Sequence, residues 1–148
     1  MTWPLIVGLG SHHGDDQAGW LVLDRLRERG YPATRLARLQ HPADLLDVID
    51  AESSVMICDA CVGGDSPGTI RSLCWPTDKM VYQRPAGSHD LSLADVMEIG
   101  QRLHCLPEAV QIWTVQTVSW SAGSKPSLEV QSAAARVAET IWKDHQRA

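Results

Sequence analysis

At 148 residues the chain has the length of one domain, and residues 1–148 are read as a single one. Its net charge of −5 argues against a nucleic-acid partner, since phosphate binding needs clustered Lys and Arg. No stretch approaches the roughly 20 apolar residues of a membrane span, and the N-terminus lacks the basic flank and apolar core of a signal peptide, so a cytoplasmic protein with no membrane partner is expected.

Trp3 to Leu9 reads as a buried strand, short and apolar, closed by Gly10. Asp15 or Asp16 then caps a helix running to about Arg29, with Ala18, Leu21, Val22 and Leu26 at helical spacing. Gly30 and Pro32 stop it. Ala33 to Leu39 is a second strand, interrupted by Arg35 and Arg38. A helix beginning at His41-Pro42-Ala43-Asp44 puts Leu45, Leu46, Val48 and Ile49 on its inner side. Ser54 to Cys58 is a third, buried strand with Asp59 at its end. Gly63 to Gly68 forms a turn cluster, and Thr69 to Cys74 an antiparallel edge strand. Trp75 to Gly87 reads as a long loop. A helix follows from Leu91 to about Leu103, then a strand from Glu108 to Val115, a polar loop from Ser119 to Ser127, and a last helix from Leu128 to about His145.

Strands alternating with helices predict an α/β fold: three layers, with a mostly parallel twisted sheet of about five strands covered by helices on both faces. In such sheets, sites form beyond the carboxyl ends of the strands. The loop carrying Asp15 and Asp16 follows the first strand, Asp59 ends the third, and His89 precedes a helix, so all three are expected at one edge.

The first loop, Gly8-Leu9-Gly10-Ser11-His12-His13-Gly14-Asp15-Asp16, has two readings. As a phosphate cradle it would present glycines and a helix N-terminus to a pyrophosphate. Against this, Asp15 and Asp16 stand where an anion should bind, and the second strand ends in Arg38-Leu39-Gln40-His41 with no acid to hold a ribose. As a metal site, two carboxylates and an imidazole would hold a borderline ion such as nickel or zinc with positions left open. Taken singly, Asp16 reads as a helix cap and Asp59 as a strand-end turn former.

Cys58-x-x-Cys61 could be a redox pair or half a zinc site, but with no second such pair the expectation is two small apolar fillers and, with Cys74 and Cys105, free thiols. Asp65 is a reserve carboxylate or a turn residue. Trp75, Trp113 and Trp120 read as packing residues before partner-binding ones. Arg84 is placed near His89 as a contact for the substrate's chain terminus. His41, His104 and His145 receive no role.

Three segments in register, Gly8-Leu9-Gly10 with Asp15-Asp16 and Gly19, Asp59-Ala60 with Gly64 and Pro67-Gly68, and Ser88-His89-Asp90-Leu91, resemble those of the hydrogenase maturation endopeptidases. The similarity spans nearly the whole chain. It implies an enzyme that cuts the C-terminal extension from a nickel–iron hydrogenase large-subunit precursor whose nickel is already in place. It implies Asp16, Asp59 and His89 as the nickel-binding and catalytic residues, with the nickel supplied by the substrate. Either the metal or a carboxylate then activates water. The chain departs from the family pattern in Ser11, where Asn is frequent, and in a first loop one residue shorter that carries His12 and His13. Those two are further candidates for the metal or for the substrate tail, or else solvated loop histidines. The alternative reading is a non-catalytic nickel-binding accessory protein of hydrogenase assembly. A monomer is expected, because the partner is large and each subunit is processed once.

Overall fold

The structure is a computed structural model, and it describes residues 2–76, 91–118 and 123–147. The apolar runs read from the sequence form its central strands. The first, β1 (Leu5–Leu9), is buried throughout. β2 (Leu36–Leu39) is shorter than the sequence suggests, because residues 33–35 form a 3₁₀ turn. From that turn Arg35 reaches the Trp3 carbonyl at 2.9 Å and forks onto Glu52 at 2.6 and 3.0 Å. β3 (Ser54–Cys61), β4 (Ile70–Trp75) and β5 (Ala109–Gln116) complete a sheet ordered β2-β1-β3-β5-β4. Four strands run parallel and β4 pairs antiparallel with β5 at the edge, so the expected α/β architecture holds.

Helices cover both faces. α1 (Ala18–Glu28) and α4 (Leu128–Arg147) bury Val22, Leu26, Val137 and Ile141 against Ile6, Cys58 and Trp113. α2 (Leu45–Ile49) and α3 (Leu93–Arg102) bury Ile49, Val96 and Met97 against Val7, Ile57 and Ile112. The two-residue repeat of the strands divides each one between these cores. α3 is delimited by a capping box: Ser92 Oγ accepts from Asp95 N at 3.1 Å, and Asp95 Oδ2 accepts from Ser92 N at 3.3 Å. Its other end is held by Trp75 Nε1, which donates to Gln101 Oε1 at 3.1 Å. Trp75 pairs with Val110 at the start of β5, so α3 ends at the amino edge of the parallel strands and opens toward their carboxyl edge.

Trp75 and Trp113 behave as packing residues. Trp113 is in the core, and Trp75 ends β4 rather than opening a loop. Trp120 and Arg84 lie outside the described residues. His145, given no role from sequence, stacks on Trp3 at 3.8 Å between ring centroids. Among the described residues, no helix is long and apolar enough to cross a membrane.

Candidate active site

The strand order reverses between β1 and β3: the chain goes from β1 outward to β2, then crosses back to β3 and continues the other way. Such a reversal opens a crevice at the carboxyl ends of the two strands. Here the start of α1 closes down on it. Gly19 lies so near both strands that an added Cβ would overlap the carbonyl oxygens of Leu9 and Cys58, so only glycine fits.

Asp59 is one strand-side residue of this crevice. β3 does not stop at Cys58 as read from sequence; Asp59, Ala60 and Cys61 go on pairing with Thr114, Val115 and Gln116. Asp59 is therefore inside the strand, 1% exposed, with its Oδ1 accepting from Ala60 N at 2.9 Å. By the strand repeat it shares the face of Val55 and Ile57, so beyond Ile57 and Ile112 the apolar layer becomes polar, with Asp59 beside Thr114 and Cys61 beside Gln116, all buried.

The loop after β1 supplies the opposite side. Gly14, at φ +52°, turns the chain into a 3₁₀ turn over Gly14–Gln17. Ser11 N donates to Asp16 O at 3.2 Å and Asp16 N to His13 O at 3.0 Å, closing the loop on itself. Asp16 is 3% exposed. The 3₁₀ turn packs against β3, the strand that carries Asp59.

Asp15 is not a helix cap. The residue in the N-cap position of α1 is Gln17, and no side-chain cap bond forms there. Instead the fully buried Asp15 carboxylate crosses to the segment after β5. It accepts from Val118 N and Ser127 N at 2.6 Å each, and from Ser127 Oγ at 3.1 Å. Ser127 Oγ in turn accepts from Val130 N at 3.3 Å at the start of α4. Gly14 N and Gln17 Nε2 both donate to Ser124 O at 3.2 Å, so the two loops are tied through Gly14, Asp15 and Gln17. Nothing local in the sequence marks this role, since the partners of Asp15 are more than a hundred residues away.

The other candidates sort differently. His12 and His13 are exposed, and His12 meets the Trp20 ring edge-on at 4.9 Å. Asp65 forks onto Arg71 at 2.6 and 2.7 Å, and the guanidinium holds its carboxyl below the usual range. His89 lies outside the described residues; of the other two, Asp16 is on the 3₁₀ turn that packs against β3 and Asp59 is on β3 itself. Among the described residues no group of three His, Cys, Asp or Glu side chains is placed to hold a metal ion.

The Cys58–Cys61 pair is neither a redox couple nor half a zinc site. Three residues apart in a continuous strand, the two thiols point to opposite faces with Cα atoms about 10 Å apart, beyond disulfide reach. Burial pushes both up, Cys61 to about 11 and Cys58 further, with the neighbouring Asp59 charge adding to each. Such thiols are inert.

Comparison with known proteins follows the same lines. The family model described as "HycI: Hydrogenase maturation protease" matches residues 40–144. No curated protein matches the chain by sequence. Solved structures do match in fold. The hydrogenase maturating endopeptidase HybD from E. coli has a TM-score of 0.76 at 20% identity, covering 99% of this chain and 93% of that one. The [NiFe] hydrogenase maturation protease HycI from Thermococcus kodakarensis KOD1 has a TM-score of 0.72 at 24% identity, covering 96% and 91%. The endopeptidase HycI from E. coli has 0.71 at 16% identity, covering 96% and 92%. At these identities the structures speak for the fold, while the family model spans well over half of the sequence; the chain belongs to the hydrogenase maturation protease family, whose members are endopeptidases of hydrogenase maturation.

Proposed function

We propose that this protein removes the C-terminal extension of a nickel-loaded hydrogenase large-subunit precursor, and that it recognises its substrate through the nickel. The observation that carries this reading is the pair of buried carboxylates, Asp16 and Asp59, on either side of the strand-order reversal. His89 is the third residue of the set. It stands three residues before Ser92, which opens α3 toward the same edge. Two oxygens and one imidazole nitrogen suit a borderline divalent ion and leave positions for the ligands the precursor already supplies.

In this reading Asp16, Asp59 and His89 hold the precursor by its nickel, with the tail across the crevice. Water, activated by the nickel or by one of the carboxylates, attacks the scissile carbonyl. The C–N bond breaks, the water oxygen stays on the new carboxylate, and a proton passes to the leaving amine. His12 and His13, on the rim of the loop, are further contacts for metal or tail.

The test is incubation of the protein with nickel-loaded and nickel-free precursor, read by mass spectrometry. The expected result is tail loss from the loaded precursor alone, slowed by about 10²–10⁴-fold in Asp16→Asn or Asp59→Asn. Equal cutting of nickel-free precursor would remove nickel from the recognition step. Nickel-dependent binding with the tail intact would instead mark a non-catalytic accessory protein.

A further inference from the structure

The sheet has two edges, β4 and β2, and among the described residues no strand pairs with the outer side of β2. In a parallel ladder, alternate residues turn their backbone groups toward the neighbouring strand. The Leu39 carbonyl accepts from Gly10 N at 3.0 Å, and Arg38 stands opposite Gly8. Ala37 and Leu39 therefore face β1, and Leu36 and Arg38 face outward. Leu36 N is already used, on the Ala33 carbonyl of the 3₁₀ turn. That leaves the Leu36 carbonyl and both backbone groups of Arg38 turned to the open edge.

Beside this edge lies a cavity of about 250 Å³ between β2 and α1. Leu23, Ala33 and Leu36 supply its apolar wall, and Arg27 and Arg38 line it with two guanidiniums against the one carboxylate of Asp24. Asp24 is engaged: its Oδ1 accepts from Arg38 Nη2 at 2.8 Å, while the same guanidinium lies over the Trp20 ring, 4.8 Å from its centroid. Arg25 and Arg35 are paired with Glu28 and Glu52. Arg27 makes no hydrogen bond or ion pair among the described residues. The charge is local. Residues 24–38 hold five arginines against Asp24 and Glu28, a net +3 in a chain of net −5.

We propose that the β2 edge and this cavity together take an extended acidic segment of the protein substrate, added to the five-stranded sheet as a further strand with a Glu or Asp side chain on Arg27. In strand addition the backbone bonds supply affinity and the alternate side chains supply the choice of sequence. An incoming strand puts every second side chain on the face of Leu36 and Arg38, where the cavity opens, and there the uncommitted guanidinium has a carboxylate as its partner. The open backbone groups select a polypeptide over a free anion. A second copy of this chain does not fit, because two β2 edges paired across a twofold axis would set Arg27 and Arg38 against their own copies. The place suits a substrate. β2 runs parallel to β1, so its end at Leu39, bonded to Gly10, lies at the carboxyl edge, and a segment laid along β2 arrives at the first loop. The precursor as the source of that segment rests on the proposed function, whereas the edge and its charge do not.

The test titrates a blocked octapeptide of alternating Thr and Glu into the protein by calorimetry, beside the same peptide with Gln for Glu and the Glu peptide with its backbone N-methylated. The Glu peptide is expected to bind about fivefold or more tighter than the Gln peptide at low salt, with the difference shrinking as salt rises. The N-methylated peptide, having lost its backbone donors, is expected not to bind. Arg27→Glu should erase the preference for Glu over Gln at an unchanged melting temperature, because the side chain is exposed. In cleavage of nickel-loaded precursor, Arg27→Glu should raise KM by about fivefold or more, the effect falling on KM rather than kcat. Equal affinity for the Glu and Gln peptides, equal affinity for the N-methylated peptide, or no binding of the Glu peptide at millimolar concentration overturns the proposal, as does a wild-type dimer in sedimentation that excludes the Glu peptide. An unchanged KM in Arg27→Glu overturns the precursor as the occupant. If wild type does not cut the precursor, the proposed function fails, while the peptide titrations, which need no nickel, still decide the edge.

Discussion

Replacing Asp15 by Asn distinguishes two roles that an acid before a helix can have. As an N-cap, Asn serves as well as Asp, and the change would be nearly silent. In the structure Asp15 is instead a buried acceptor for three donors: Val118 N, Ser127 N and Ser127 Oγ. An amide has one acceptor oxygen. If that oxygen keeps Ser127 N, the new NH₂ faces Val118 N–H; if it is flipped, the NH₂ faces Ser127 N–H. Either way one charge-assisted bond is lost, worth about 1.5–3 kcal/mol, and one part-buried donor is left facing another at a cost of at most about 1–3 kcal/mol. The expected destabilisation is about 3–5 kcal/mol. At this chain length that lowers the melting temperature by about 10–15 °C. Guanidinium unfolding followed by tryptophan fluorescence measures it, as a lower midpoint at unchanged slope. Ser127→Ala should be non-additive with Asp15→Asn by about 1 kcal/mol, because the two residues share a bond. A variant within about 0.5 kcal/mol of wild type, or strict additivity with Ser127→Ala, would refute the clamp and restore the cap.

Two further outcomes follow from buried ionisable groups. The Tyr31 hydroxyl donates to Pro4 O at 2.6 Å, and burial pushes its pKa from 10.0 to about 12. The folded state favours neutral Tyr31, so its contribution is full below pH 10 and is lost as the pH rises toward 12. Stability should fall across that window less steeply in Tyr31→Phe, and the wild-type minus variant absorbance titration should show a midpoint near 12. Iodoacetamide at pH about 8 should label the exposed Cys74 first, and Cys58 and Cys61 only after unfolding, as read by peptide mapping. A Cys58–Cys61 disulfide formed in the native protein would contradict the strand geometry.

The strands most legible in the sequence are those buried on both sides. β1 and the first half of β3 are near-continuous apolar runs because helices cover both faces, and such runs need no alternation to be recognised, whereas β5 reads as a strand by its alternation. β2 was the least legible for the same reason reversed: it is an edge strand, partly exposed, and Arg35 leaves it for Glu52 and the Trp3 carbonyl. The sequence reading ends β3 at Cys58 because Asp59 breaks the apolar run. The chain keeps the strand going through a buried acid, against strand propensity, and the backbone pairing with β5 is what sustains it. Departures of this kind, where local preference is overridden, are expected at functional positions.

The first loop was legible as a place but not as a division of labour. Two adjacent aspartates before a helix look interchangeable, one a cap and one a ligand. The 3₁₀ turn makes them unlike. At three residues per turn, successive side chains diverge by about 120°, so Asp15 and Asp16 cannot serve the same partner. Once Asp15 is committed to the amides of Val118 and Ser127, Asp16 is directed elsewhere, from a loop that Asp15 has just made rigid. A turn of this pitch, entered through Gly14 in a left-handed conformation, thus yields one carboxylate that fixes the site and one that the proposed chemistry can use. This also accounts for how so short a loop can carry both acids. Each needs only its own direction out of the turn, and the 3₁₀ pitch supplies two in consecutive residues.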